Sequence, residues 1–295
     1  MLKAVQIQNY RCLRDVTLEL GAFTVFVGPN ASGKTAIADG LTCGRSFTAD
    51  YWRHRERPQW RCRTTSTWFS ASYSPDQLGG TRRKFVFHPT QLRQHVTADE
   101  AWALSNSGDN LANFFGTLSR PDQEKFVGEF VRLVPEYADI KARAQGGNLR
   151  LQFQDRWDDS VWYEAQQVSD GTMLAAAYVA LGYQRDVPTL AVFEDPDHGL
   201  HPYLQRRVVE LLRALSRGEI GPKPIQIVCT THSKALLDFL EPEEVRFLTR
   251  DRKTGETLVK SAPTDNERWK DVYDRYQQSL GDMWLTGALG GVPGV

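Results

Sequence analysis

VFVGPNASGKTAIADGL, residues 25–41, is the stretch whose reading decides the fold. Gly28, Gly33, Lys34 and Thr35 meet the pattern G-x-x-x-x-G-K-[ST], with the apolar run Phe23–Val27 before them and a helical pattern after. Strand, loop and helix in that order make an anion cradle, because unpaired backbone N–H groups and a helix dipole point at one spot. Gly28 and Gly33 let the main chain come close, and Pro29, Asn30, Ala31 and Ser32 carry the loop between them. Lys34 is placed for the β and γ phosphates, and Thr35 for a magnesium ion bridging the same oxygens. A nucleoside triphosphate with Mg2+ is the implied ligand.

Before the loop, Val5 and Ile7, then Val16, Leu18 and Leu20, alternate as strands do, so residues 1–45 read as a β-rich lobe ending in the phosphate loop. From 46 to 95 periodicity fades and the composition turns basic and aromatic, which reads as an insertion. Helical periodicity returns over Asp109–Leu118 and Pro121–Val134, the second capped by Ser119 and striped with Phe126, Val127, Phe130, Val131 and Val134. Gly146–Gly147 marks a turn and NLRLQFQD a further strand, so residues 46–165 form an insertion and helical region. No sustained heptads occur between residues 36 and 168, which excludes long coiled-coil arms.

Residues 166–263 alternate helix and strand: Met173–Tyr183, then TLAVFED (189–195), Tyr203–Leu215, IQIVCTTHS (225–233) and Lys234–Leu240. Such alternation predicts a mainly parallel sheet flanked by helices, with active groups at the carboxyl ends of its strands. The strand ending in Glu194 and Asp195 reads as a Walker B element, the first acid holding metal through water and the second orienting an attacking water. VSDGT, with Ser169, Asp170 and Gly171, supplies an N-cap and another anion-ready helix start. His232 ends the neighbouring strand within reach of a γ phosphate. Residues 264–295 hold a helix, Glu267–Leu280, striped with Trp269, Val272, Tyr273 and Tyr276, and an apolar glycine-rich tail expected to pack on its own core.

The 295 residues suffice for one large α/β domain with an insertion, and 36 basic against 36 acidic residues leave no global field drawing the chain to nucleic acid or membrane. Cys12, Cys43, Cys62 and Cys229 lack metal-ligand spacing, and the start MLKAVQIQNYRCL has no secretion core. Thr172–Tyr183 is too short to span a bilayer, so a reduced cytoplasmic setting without membrane contact is expected. YWRHRERPQWRCR interleaves Arg53, Arg55, Arg57, Arg61 and Arg63 with Tyr51, Trp52 and Trp60, a pattern that suits DNA and equally a solvated loop or a protein contact.

The ordered motifs resemble the RecF/SMC-like branch of ABC-type ATPases, in particular compact members similar to the ATPase head of OLD-family proteins. IQNYRCLRDVTLEL and GPNASGKT at the front, VSDGT in place of the ABC signature, FEDPDHGLHP for Walker B plus D-loop, and CTTHS for the histidine switch carry the likeness over nearly the whole chain. The resemblance implies a P-loop NTPase with an ABC-type ATPase head. Lys34 and Thr35 would bind ATP and Mg2+, Glu194 hold the metal, Asp195 act as general base and His232 sense the γ phosphate. Ser169, Asp170, Gly171 and His201 would meet the nucleotide of a second subunit, in a homodimer formed on ATP binding. Arg11 matches an arginine often near the nucleotide, or is a plain surface arginine. Asp195 stands where glutamate is usual. Gln59 and Gln91 both fit the expected magnesium-positioning glutamine. About sixty residues follow His232 without an acidic metal cluster, so any nuclease is expected on a separate effector protein; phage defence or DNA repair is the expected setting, with defence favoured. Two rival readings stand beside this one: an ATP-dependent scaffold with negligible turnover, and a P-loop phosphotransferase.

Overall fold

The computed structural model describes residues 1–42, 59–63, 68–71 and 81–289. The chain runs through β1 (Ala4–Tyr10), β2 (Leu13–Glu19), β3 (Phe23–Val27), α1 (Lys34–Thr42), β4 (Gln59–Arg63), β5 (Trp68–Ala71) and β6 (Arg82–Phe85). Next come α2 (Pro89–Leu92), β7 (Val96–Thr97), α3 (Leu111–Thr117), α4 (Arg120–Leu133), β8 (Tyr137–Gln145), β9 (Asn148–Asp155), β10 (Trp162–Glu164) and α5 (Asp170–Ala180). The remainder is β11 (Leu190–Glu194), α6 (Pro202–Arg217), β12 (Gln226–Thr231), α7 (Lys234–Leu237), β13 (Val245–Arg250), β14 (Thr257–Ser261), α8 (Trp269–Arg275) and α9 (Leu280–Leu285). Two compact units result: Met1–Lys84 with Pro188–Asp197 and Gln226–Val295, and Phe85–Val187 with His198–Ile225.

The first unit holds an antiparallel sheet ordered β2-β1-β4-β5 and a six-stranded sheet ordered β14-β13-β3-β12-β11-β6. In the second of these β13, β3, β12 and β11 run parallel, while β14 joins β13 antiparallel. Strands β3 and β12 are buried at every residue, as sheet strands covered on both faces must be, which is why they read as unbroken apolar runs. By contrast β2 buries Leu13, Val16 and Leu18 and exposes Arg14, Asp15, Thr17 and Glu19, the alternation of a strand with one wet face. Helix α1 packs its Ile37, Ala38 and Leu41 into a cluster with Val5, Ile7, Phe26, Val192 and Val228. Its approach to the first sheet needs a glycine, since a Cβ on Gly40 would lie 2.7 Å from Ile7 Cδ1.

Residues 59–63, read from composition as part of an insertion, are instead a strand of the first sheet, with Trp60 opposite Ile7 and Cys62 opposite Val5. Trp60 and Cys62 are buried, and the Trp60 indole donates to Gly40 O at 3.1 Å. The alternation of arginine with apolar residues here is the period of a strand on a core. Arg53, Arg55 and Arg57 lie outside the described residues.

In the second unit α5 is buried along Gly171–Ala180, and its small residues suit a helix packed on several sides at once by α2, α3, α4 and α6. Strand β9 is the centre of an antiparallel sheet, pairing with β8 along its length and with β10 and β7 at its two ends. Phe126 and Phe130 of α4 are fully enclosed, Phe130 lying 5.7 Å from the Phe153 ring of β9 and Phe126 5.1 Å from the Phe115 ring of α3. Ser119 caps α4 as expected, but Val127 and Val131 of the anticipated stripe are only half-buried.

The expected helix over Glu267–Leu280 is broken. Gln277 and Gln278 turn into the left-handed region, at φ 53° and 60°, and Ser279 starts α9 by accepting from Asp282 N at 2.9 Å. The described tail does pack on its own unit: Asp238 accepts from Ser279 Oγ and Gly281 N at 2.7 and 3.0 Å, and Leu280, Met283 and Trp284 are buried. No helix among the described residues is long and apolar enough to cross a membrane.

Candidate nucleotide site

The sheet order places three motif ends side by side in the first unit. The phosphate loop follows β3, His232 follows β12, and Glu194 closes β11, with β12 between the other two. This puts the histidine between the loop and the acids.

The loop Gly28–Thr35 has Ala31 at φ 63° and Gly33 at φ 111°, the latter a conformation that glycine alone takes readily. A Cβ on Gly28 would sit 2.6 Å from Ser32 Oγ and 2.8 Å from Leu248 O, and one on Gly33 would strike Thr257 Oγ1. Both glycines are therefore required by crowding behind the loop. The Thr257 hydroxyl donates to Ser32 O at 2.9 Å and its N–H donates to Cys12 O at 3.0 Å, so the start of β14 braces the cradle. Sequence reading missed Thr257, which carries no local motif.

Lys34 folds back on the loop, its Nζ donating to Gly28 O and Pro29 O at 2.7 and 3.0 Å. Burial lowers its pKa below the ordinary lysine value, against the pull of Asp195 and Glu194. An ammonium desolvated in this way gains when an anion arrives to share its charge. Thr35 is exposed and its side chain is open to a metal ion. Arg11 pairs with Asp39, its Nη1 2.7 Å from Oδ2, and its guanidinium lies 5.2 Å from the Tyr10 ring centre.

Asp195 also has a left-handed backbone, φ 45°, with its N–H on Thr230 O at 3.0 Å. Its Oδ1 lies 3.1 Å from His232 Nδ1. Glu194 presents Oε2 to Lys84 Nζ at 2.8 Å, while its Oε1 is buried without a hydrogen-bond partner. A buried carboxylate oxygen left unsatisfied is costly, and a hydrated cation would satisfy it. Together with the open Thr35 hydroxyl and the glycine cradle, this fits the residues to Mg2+–nucleotide. Among the described residues no group of three His, Cys, Asp or Glu side chains could hold a metal ion by itself.

Lys84 is the second residue that sequence reading missed. Its Nζ also meets Asp39 Oδ1 at 2.7 Å. Burial disfavours the ammonium, but hydrogen bonds to Asp39 and Glu194 outweigh it and its pKa stands above the ordinary value. Of the two glutamines considered for positioning the magnesium, Gln59 is exposed on β4 and Gln91 lies in α2. Nearby Asp197, buried, accepts from Thr231 Oγ1 at 2.8 Å.

In the second unit Ser169 caps α5, accepting from Thr172 N at 3.1 Å. Arg93, again absent from the sequence reading, pins this turn: it pairs with Asp170 at 2.6 Å and donates to Ala165 O and Val168 O, both at 2.9 Å. Ser169 and Asp170 are exposed, whereas Gly171 is buried where a Cβ would lie 2.8 Å from Leu204 Cδ2. Packing against α6 by itself accounts for that glycine. His201 is the exposed N-cap of α6, its Nδ1 accepting from Tyr203 N at 3.3 Å.

A family model described as AAA domain, putative AbiEii toxin, Type IV TA system matches residues 93–238, and one described as AAA ATPase domain matches residues 1–43. The chain is 57% identical to the OLD nuclease of Thermus scotoductus over 37 residues, 12% of this chain and 7% of that protein. It is 26% identical to the DNA replication and repair protein RecF of Protochlamydia amoebophila over 144 residues, 48% of this chain and 38% of that one. These matches span less than two fifths of either relative. A solved SMC head bound to the C-winged helix domain of ScpA superposes with a TM-score of 0.58 at 12% identity, covering 90% of this chain and 98% of that one, a likeness of fold.

Proposed function

We propose that this chain works as an ABC-type ATPase head of the RecF, SMC and OLD kind: it binds ATP with Mg2+, closes on a second copy around two ATP molecules, and reopens on hydrolysis. The observation that carries the reading is the adjacency of three strand ends, with Asp195 and His232 3.1 Å apart beside the cradle that holds Lys34.

In this reading the loop N–H groups and Lys34 take the phosphates, while Thr35 and Glu194 hold the magnesium, whose charge offsets that developing on the transferred phosphoryl group. Asp195 orients the attacking water and accepts its proton. His232, with Nδ1 facing Asp195, keeps Nε2 for the γ phosphate. Ser169 and Asp170, exposed at the start of α5, cap the nucleotide of the second copy, and His201 stands at the same junction. The cycle then drives a separate effector protein, as the ScpA-bound head suggests by analogy, or DNA, for which exposed Arg61 and half-buried Arg63 are the described candidates. The setting in this reading is phage defence or DNA repair, with defence favoured.

Sedimentation of Asp195→Asn with and without MgATP tests the scheme. ATP should shift this variant to dimer, and Ser169→Arg in the same background should abolish the shift. A variant that stays monomeric with ATP bound refutes the closed dimer. Phosphate release by wild type above that of Asp195→Asn marks an ATPase, and equal near-zero rates mark a scaffold that uses ATP without turnover.

A further inference from the structure

Arg11, Asp39, Lys84 and Glu194 form one relay of charge beside the loop: Arg11 on one oxygen of Asp39, Lys84 on the other, and Lys84 again on Glu194. Each link is 2.7 or 2.8 Å, and the Lys84, Asp39 and Glu194 side chains are each about four-fifths enclosed. Glu194 is the acid assigned above to magnesium, so a protein ammonium already neutralises the carboxylate that is to hold a divalent ion. It does so through Oε2 only. Oε1 stays buried and unpartnered.

We propose that Lys84 is a positioning and selectivity residue of the metal site, a resident cation that aims Glu194 Oε1 and keeps the nucleotide-free protein from taking up a divalent ion, so that metal enters together with nucleotide. The proposal rests on the nucleotide-binding reading. Two carboxylates that share one bridging cation, Asp39 and Glu194, would attract a hard divalent ion in its place, since carboxylate oxygens are its preferred ligands. A fixed ammonium between them repels that cation at short range and in reduced dielectric, where the repulsion is strong. An incoming triphosphate brings enough negative charge to reverse the balance. The strand β6, at the edge of the sheet beside β11, holds the ammonium in place.

The test is Mn2+ binding to nucleotide-free protein, followed by electron paramagnetic resonance or calorimetry. Wild type and Lys84→Arg, which keeps the charge, should bind Mn2+ weakly. Lys84→Met should bind it about tenfold more tightly or better, because the ammonium is gone and both acids remain. Unchanged affinity in Lys84→Met overturns the proposal, as does tight Mn2+ binding by wild type without nucleotide. If Lys84→Met does not fold, Lys84→Gln, also neutral and nearly as long, takes its place with the same two outcomes. MgATP binding by wild type, read in the same series, separates the two failures. Its absence removes the nucleotide reading, whereas its presence beside unchanged Mn2+ affinity in the neutral variant removes Lys84 alone.

Discussion

Asp195 occupies a backbone conformation, φ 45°, that aspartate and asparagine tolerate and most other L-residues do not. The family to which the chain is similar usually has glutamate there, so Asp195→Glu looks conservative by sequence. The geometry says otherwise. Glutamate has no short side chain to offset the left-handed conformation, which costs it about 1 kcal/mol. Its extra methylene must also be accommodated beside His232, which already lies 3.1 Å from the present carboxylate. We expect Asp195→Glu to lose about 1 kcal/mol, a fall in Tm of roughly 2–4 °C for a cooperative unit of this size. Asp195→Asn, which suits the same φ, should stay within about 0.5 kcal/mol of wild type. Urea denaturation with the two variants side by side measures both. Should the glutamate variant be as stable as wild type while the asparagine variant falls, the backbone argument is wrong.

Three further outcomes are expected. Arg93→Leu leaves the buried Ala165 and Val168 carbonyls without their charged donor and should cost about 2–3 kcal/mol, with faster amide exchange at residues 168–172; the Arg93–Asp170 pair adds little because Asp170 is largely exposed. Phe130→Ala, at 0% exposure against Phe153 and Tyr137, should cost about 3–5 kcal/mol in a chemical melt. Burial pushes the Asp197 carboxyl above its ordinary 3.8, with Thr231 opposing, so its ionisation destabilises the fold. The cost is absent below the unfolded value and grows as pH rises from there through the raised folded value. Thermal melts should therefore show Asp197→Asn stabilised at neutral pH, with the gain shrinking to nothing as pH falls below 3.8.

The parts of the site that were legible in the sequence are those whose chemistry is local. A phosphate loop needs its glycines, Lys34 and Thr35 within one turn, and the structure adds the crowding behind Gly28 and Gly33 that explains them. Strands β3, β11 and β12 announced themselves because both faces are covered. Composition misled where the two faces of a strand differ: the arginines of 59–63 looked like a separate basic segment, yet Trp60 and Cys62 between them belong to the core. The tail helix failed at Gln277 and Gln278, where docking of α9 on α7 overrides helix propensity.

By itself the sequence determined that the chain has a phosphate loop feeding a helix, an α/β alternation after residue 166 and two strand-end acids, since each follows from neighbours a few residues apart. Only the tertiary structure decided that β12 stands between β3 and β11, that Asp39, Lys84 and Glu194 share a charge relay spanning 155 residues of chain, and that Thr257 braces the loop from the opposite end. Those contacts arise from how strands order themselves in a sheet, and strand order depends on which apolar faces must be buried together, which no short stretch of residues records.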